Sequence, residues 1–189
     1  MIMVSRFTAR VGSWSRHPHA PRYLAAVSFA ESSFFPVPPD VLLAPLCLAR
    51  PKEARFLALW TTLWSVAGGL AAFALAAWAT EPVMATLTEA GFGSALETAE
   101  RWFAAWGFLA VVISGFSPVP YKIFAFAAGA MGMTVPGFVL ASILGRGARF
   151  VLVAEIARGG AALRGGHSRR VRIVGWSVAA LLAIVLLLG

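Results

Sequence analysis

Five charged residues lie within or beside the apolar stretches of this chain, where a charge is costly to hold. They are Glu31, Asp40, Lys122, Arg146 and Arg149. An ionised side chain in the middle of a bilayer costs about 2.5 to 3.5 kcal/mol on insertion scales, so such residues are expected to be paired, hydrated or functional. Carboxylates can carry protons, and guanidinium or ammonium groups can bind phosphate. The sequence therefore predicts a charged site inside a membrane, able to exchange protons or to hold an anionic group.

Asp40 and Lys122 occupy matching positions in two similar stretches. Residues 34–40 read Phe-Phe-Pro-Val-Pro-Pro-Asp, and residues 116–122 read Phe-Ser-Pro-Val-Pro-Tyr-Lys, eighty-two residues further along. One interpretation is structural: the carboxylate and the ammonium meet and hold the two stretches together. The other is functional: the same two groups line a hydrophilic cavity that protons or a lipid headgroup can reach.

Glu31 has no charged counterpart in the second stretch, because Ile113 stands at the matching position. An unpaired carboxyl group in surroundings of low dielectric constant favours its protonated form, which makes Glu31 a candidate proton carrier. Arg146 and Arg149 lie one helical turn apart and project from the same face of a helix. Their guanidinium groups suit a phosphate, and the alternative is that they neutralise Glu31 and Asp40.

Prolines interrupt both apolar stretches where a continuous membrane helix would otherwise be expected. A proline ring fixes φ and removes an amide donor, so a helix is predicted to end there and another to begin after the last proline. A bilayer tolerates such a break only where protein or water covers it, and a helix that starts there directs its positive dipole end at an anion. These breaks comprise Pro36, Pro38, Pro39, Pro118, Pro120 and Tyr121.

The composition predicts an integral membrane protein. Of 189 residues, 59% are hydrophobic, and the mean hydropathy is +0.79, which is too much apolar surface for a soluble domain of this size. Sixteen Lys and Arg residues face eight Asp and Glu. The basic residues gather at the ends of apolar segments, which favours contact with anionic lipid headgroups over nucleic acid. The single Cys47 excludes an intramolecular disulfide and a cysteine metal cluster, and no metal or cofactor is predicted.

The order of apolar and polar segments predicts an all-α membrane protein built from an inverted repeat. Each repeat is a re-entrant helical hairpin followed by a transmembrane helix, and the spans are predicted over residues 56–79 and 137–157. Gly and Ala in the spans permit a homo-oligomer. The predicted regions are an N-terminal amphipathic segment (1–22), a membrane domain (23–157) divided into repeat one (23–79), an outer loop (80–102) and repeat two (103–157), a basic cytoplasmic loop (158–172) and a C-terminal transmembrane helix (173–189).

The distribution of positive charge decides the predicted topology. If both broken segments crossed the membrane fully, the basic loop at residues 50–55 would lie opposite the basic N-terminus. If each segment returns to the side it entered, the N-terminus, that loop and residues 158–172 all face the cytoplasm. Together these regions hold twelve of the sixteen basic residues. The second arrangement is preferred, and it inserts the two hairpins from opposite sides of the inner membrane.

Three motifs resemble those of the DedA superfamily, also called VTT or SNARE-associated membrane proteins, and most closely its YqaA-like branch. They are Glu-Ser-Ser-Phe-Phe-Pro-Val-Pro-Pro-Asp at 31–40, Phe-Ser-Pro-Val-Pro-Tyr-Lys at 116–122 and Gly-Arg-Gly-Ala-Arg-Phe at 145–150. The resemblance implies a multi-pass protein of lipid transport or scrambling, proposed to couple to protons. It also implies that Glu31, Asp40, Arg146 and Arg149 matter for activity. Many relatives carry Phe-Pro-x-x-Arg-Phe near the second hairpin, where this chain places its positive charge at Lys122.

The expected function is transport of a phosphate-bearing lipid, such as a phospholipid or undecaprenyl phosphate, with or without proton coupling. One alternative is a proton-coupled transporter of an ion or small solute, and another is an envelope assembly factor that transports nothing. An enzyme acting on lipid phosphate is disfavoured. The sequence contains no nucleotide-binding loop, no Gly-x-Ser-x-Gly elbow, no zinc-spaced ligand set and no paired catalytic histidine.

Overall fold

A computed structural model describes residues 17–35, 37–117 and 119–164, with the side chains of 161–164 excepted. The helices of this part of the chain are α1 (Ala20–Ser33), α2 (Asp40–Ala49), α3 (Ala54–Trp78), α4 (Thr80–Leu87), α5 (Gly93–Trp106), α6 (Phe108–Ser114), α7 (Tyr121–Ala130) and α8 (Val135–Arg164), with a π-helical turn at Thr88–Phe92 between α4 and α5. Most of the predicted N-terminal segment, the C-terminal transmembrane helix, Pro36 and Pro118 lie outside the described residues.

Among the described residues, two helices are long and apolar enough to cross a membrane. They are α3 and the part of α8 that runs over Val135–Gly160. This agrees with the predicted class of an all-helical membrane protein. Helix α8 continues to Arg164, so the first residues of the predicted basic loop are helical. Pro136 stands in the first turn of α8, where the missing amide hydrogen has no partner to lose.

The predicted break in the first apolar stretch is confirmed. Helix α1 ends at Ser33 and α2 begins at Asp40, directly after Pro39. The chain then turns back, because Nη2 of Arg50, just past α2, donates to the carbonyl oxygen of His17 at the start of α1 over 2.8 Å. Helices α1 and α2 therefore form a hairpin whose two ends lie together.

The second apolar stretch is broken twice rather than once. The predicted break separates α6 from α7, and a further break at Gly107 separates α5 from α6. Gly107 has φ +52°, a conformation that a residue with a Cβ atom rarely adopts. The helix after the second proline motif, α7, is buried along almost its whole length.

The segment predicted as an outer loop is mostly helical. Helix α5 turns Leu96 and Ala99 inward, where they pack with Ile123, Phe124 and Ala127 of α7. Its glutamates point outward and are exposed. The segment is therefore amphipathic and covers α7. Its glutamates lie only on the outer face.

The two repeats interlock. Helix α1 packs on α3 and α6 packs on α8, so each long helix carries one helix of its own hairpin. Helix α2 packs on α8 and α7 packs on α3, so each long helix also carries one helix of the other hairpin. The long helices α3 and α8 contact each other along the centre. Residues of both repeats thus meet around the crossing of α3 and α8.

Glycines allow the closest of these helix contacts. A Cβ atom added at Gly68 of α3 would overlap the carbonyl oxygen of Phe29 in α1, and one added at Gly145 of α8 would overlap that of Val112 in α6. Both glycines thus play the same part, each on the long helix of its own repeat. Small residues at such crossings bring backbones together and strengthen packing in a membrane.

We expect Gly145→Ala to destabilise the protein by about 1 to 3 kcal/mol, because the added methyl group must push α6 away from α8. The matched control is Gly147→Ala on the same helix, where the added carbon meets the Thr62 side chain at an ordinary 3.5 Å. Thermal unfolding midpoints of both variants in detergent measure the difference. Equal midpoints for the two variants would show that the α6–α8 crossing is not closely packed.

Candidate functional site

Two ion pairs connect the hairpin of repeat one to the long helix of repeat two. Oε2 of Glu31, in α1, lies 2.5 Å from Nη2 of Arg146 in α8. Oδ2 of Asp40, the first residue of α2, lies 2.6 Å from Nη2 of Arg149, one turn further along α8. The expectation that Glu31 stands unpaired is wrong. The interpretation that the two arginines neutralise Glu31 and Asp40 describes this arrangement.

The Glu31–Arg146 pair belongs to a buried hydrogen-bond network. Nε of Arg146 donates to Oγ of Ser65 over 2.7 Å, and its Nη2 also reaches Oγ of Ser32 at 3.4 Å. Ser32 donates to Oε2 of Glu31 over 3.0 Å, and the two serine hydroxyls lie 2.8 Å apart. Arg146 is only 3% exposed. Such a network is strong in surroundings of low dielectric constant because its charges and polar groups have partners.

Aromatic rings hold the Arg146 guanidinium on two sides. Its Cζ lies 4.8 Å from the centre of the Tyr121 ring and 4.7 Å from that of Phe150, close enough for cation–π attraction. The Tyr121 hydroxyl donates to Oγ of Ser142 over 2.7 Å, and Gly69 leaves space for the ring. Arg146 is therefore fixed in position, with little freedom to turn toward a ligand.

The Asp40–Arg149 pair is more open. Both Nε and Nη2 of Arg149 donate to Oδ2 of Asp40, over 3.1 and 2.6 Å, and Nη1 donates to the Gly115 carbonyl oxygen over 3.1 Å. The side chains are 27% and 20% exposed. The second carboxylate oxygen of Asp40, Oδ1, is buried and receives no hydrogen bond from the part of the chain that the structure describes.

Lys122 does not pair with Asp40, whose ion-pair partner is Arg149. Instead, Nζ of Lys122 lies 3.4 Å from the carbonyl oxygen of Phe34, at the end of α1, and 5.1 Å from the centre of the Phe92 ring. Lys122 is 7% exposed. The two helix breaks do lie together, but Lys122 contacts the backbone carbonyl group of Phe34 at the first break rather than the carboxylate of Asp40.

Several contributors to the site escape a reading of the sequence. Tyr121 was predicted only as part of a helix break, whereas its ring forms a wall against Arg146. The hydroxyls of Ser32 and Ser65 bond the Glu31–Arg146 pair, and that of Ser142 bonds the Tyr121 hydroxyl. The sequence signal that could have found them is a polar residue in the middle of an apolar span, which occurs at Ser65 and at Ser142. No group of three His, Cys, Asp or Glu side chains that could hold a metal occurs within the described residues.

The five predicted site residues thus form two neutral ion pairs and one separate ammonium group. The Glu31–Arg146 pair is buried and hydrogen-bonded throughout, whereas the Asp40–Arg149 pair is half-open and leaves one carboxylate oxygen without a donor. The five residues together therefore carry one net positive charge.

Comparisons with known proteins identify the family of the chain. The model of the VTT domain matches residues 37–157. An uncharacterized protein of Haemophilus influenzae is 41% identical over 172 residues, which cover 90% of each chain, and one of Histophilus somni is 36% identical over 175 residues, which cover 92% of each. No solved structure matches the chain. The chain therefore belongs to the VTT-domain family, the family of DedA membrane proteins.

Proposed function

We propose that this protein is a lipid transporter of the flippase or scramblase type, which moves a phosphate-bearing lipid across a membrane. Membership in the VTT-domain family itself points to a transporter-like role in a membrane. The observation that supports lipid transport in particular is the presence of two ion pairs between the hairpin of repeat one and helix α8 of repeat two. Charges are retained inside a membrane protein where they serve a pathway or a substrate, and repeat junctions are where transporters bind their substrates.

The surroundings of the more open pair suit a lipid better than a soluble solute. Phe34, Phe35, Val37 and Phe116, beside the two helix breaks, are exposed. These side chains offer an apolar surface to acyl chains next to the polar groups that would hold a headgroup. A headgroup could occupy the site while its tails stay in the bilayer, and the protein would need no catalytic step.

The two ion pairs differ in what they can do during transport. Arg146 is held by Glu31, two serines and two aromatic rings, so this pair fixes the fold. Arg149 is held mainly by one oxygen of Asp40. A proton added to Asp40 would weaken that pair and free Arg149 for a phosphate. Protonation would thereby shift the population between a closed and a loaded state.

The orientation in the membrane is part of the same proposal. The N-terminus lies in the cytoplasm, the membrane is the inner membrane, and the two hairpins enter from opposite sides without crossing. The hydrogen bond between Arg50 and His17, which brings the two ends of the first hairpin together, supports this. So does the concentration of basic residues in regions that would all face the cytoplasm.

A proton-coupled transporter of an ion or small solute is the second candidate. It is favoured by the bare Oδ1 atom of Asp40, an acceptor that a proton or cation could use without any lipid. The two candidates share the charged site and differ in whether the substrate arrives from the bilayer or from water.

Liposomes that contain the purified protein should move fluorescent phosphatidylglycerol between leaflets faster than protein-free liposomes, because the site shields the headgroup from hydrocarbon. Dithionite quenching of the outer leaflet measures this rate, and Arg149→Met should lower it by about tenfold. Absence of movement with and without a pH gradient would exclude lipid transport. Flux of a soluble ion in those liposomes would then favour the second candidate.

Replacing the two carboxylates should separate a structural role from a working one. Glu31→Gln leaves the Arg146 charge buried without a carboxylate and should lower stability by about 3 to 5 kcal/mol. Asp40→Asn should leave the protein folded, because its pair is partly open to water, but should abolish the dependence of transport on a pH gradient. Glu53→Gln at an exposed ion pair is the matched control. Thermal unfolding and transport rates give both readouts, and wild-type proton coupling in Asp40→Asn would exclude Asp40 as the proton site.

Cysteine accessibility tests the proposed orientation. The only native cysteine, Cys47, is buried, and Cys47→Ala provides a background without thiols. In intact spheroplasts, a maleimide that cannot cross membranes should label Ala90→Cys, whereas Lys52→Cys should react only after permeabilisation. Labelling of Lys52→Cys from outside would show that the first broken segment crosses the membrane, which contradicts the inverted arrangement.

A further inference from the structure

Lys122 is a buried ammonium group for which the chain provides no carboxylate. All eight Asp and Glu residues lie in the described part of the chain. Four of these carboxylates pair with arginines, and the other four are exposed residues of α4, α5 and the turn between them. No ion pair with Lys122 occurs among the described residues. A buried charge in this condition is costly and marks a position where a ligand can supply the missing partner.

The repeat explains why Lys122 has no partner. Gly68 and Gly145 each contact a backbone carbonyl group in the first helix of the preceding hairpin, at Phe29 and Val112, which aligns the two long helices. On that register Ala72 of α3 is equivalent to Arg149 of α8. Lys122 is equivalent to Asp40, so the residue that would correspond to its ion-pair partner is Ala72, which carries no charge. Repeat one thus has no charged residue at the position where repeat two has Arg149.

The groups around Lys122 hold the ammonium weakly. A distance of 3.4 Å to the Phe34 carbonyl oxygen is long for an N–H···O hydrogen bond. An ammonium group has three donors, and the structure shows one hydrogen bond and one aromatic ring for them. In contrast, the guanidinium groups of Arg146 and Arg149 are already bound to carboxylates. Of the three cations of the site, Lys122 is therefore the one that can bind an anion without first breaking an ion pair.

We propose that Lys122 is the resident contact for the phosphate of the transported lipid and makes the site selective for lipids with a net negative headgroup. This inference rests on the proposed function and names its substrate class. A phosphatidylglycerol-type headgroup places one uncompensated negative charge beside Lys122. A phosphatidylcholine-type headgroup would bring a quaternary ammonium into a site that already carries a net positive charge. Like charge in a site of low dielectric constant disfavours binding.

The chain contains only two lysines, Lys52 and Lys122, which gives a matched control. We expect purified protein in neutral detergent to bind dihexanoyl phosphatidylglycerol about tenfold or more tightly than dihexanoyl phosphatidylcholine. Lys122→Met should remove that preference, Lys122→Arg should restore most of it, and Lys52→Met, at an exposed position, should keep it. Isothermal titration measures all four proteins. An unchanged preference in Lys122→Met would overturn the proposal.

A second measurement needs no substitution at Lys122. Protein labelled with ¹⁵N-lysine gives two lysine amide signals, and Lys52→Met identifies the one that belongs to Lys52. Phosphatidylglycerol should shift the Lys122 signal while the Lys52 signal stays in place, and phosphatidylcholine should shift neither. No shift at Lys122, or equal shifts by both lipids, would overturn the assignment. Inorganic phosphate is the third probe: a shift of Lys122 at an equal or lower concentration would identify a free phosphate rather than a lipid as the ligand.

The result is separable from the outcome of the transport assay. If the wild type moves lipid and Lys122→Met keeps the same ratio of phosphatidylglycerol to phosphatidylcholine movement, the role of Lys122 is excluded while transport stands. If phosphatidylglycerol binds at Lys122 but no lipid moves in liposomes, the binding site stands and transport is excluded.

Discussion

The structure depends on the ion pair between Glu31 and Arg146. Removing two charges from water costs several kcal/mol for each, and only good geometry with further hydrogen bonds offsets that cost. The carboxylate comes from a hairpin helix of repeat one and the guanidinium from the long helix of repeat two. The helices must therefore stay interlocked to keep the pair together. The glycine crossings and the serines between α1, α3 and α8 provide the close approach and the hydrogen bonds that the pair requires.

The same cations also solve a backbone problem. A break in a membrane helix leaves carbonyl groups without amide partners, and each unmatched group is costly away from water. Lys122 donates to the carbonyl oxygen of Phe34 at the first break, and Arg149 donates to that of Gly115 at the second. Each break is thus covered by a cation from repeat two.

Local signals in the sequence were sufficient to find the charged residues, the proline breaks and both long helices. The sequence left the pairing open. Its repeat aligns Asp40 with Lys122, which suggested one pair, and the alternative was that Arg146 and Arg149 of α8 neutralise Glu31 and Asp40, which is what the structure has. Sequence repeats show which positions are equivalent, and they do not show which positions touch. The helical cover of α5 was missed because exposed glutamates hid the small apolar face of Leu96 and Ala99. The break at Gly107 was missed because a glycine without a neighbouring proline is a weak signal on its own.

The charge is divided unequally between the repeats, and this bears on how such a transporter would work. The two carboxylates of the site belong to repeat one, and its three cations belong to repeat two. Any movement that separates the repeats must therefore separate opposite charges, which is costly inside a protein. In the proposed transporter, the closed, paired arrangement is accordingly the resting state. On that proposal, opening costs less when another group compensates the separated charge, either a proton on Asp40 or an anion beside the cations of repeat two. Coupling between ligand and movement then follows from the distribution of charge and requires no separate device.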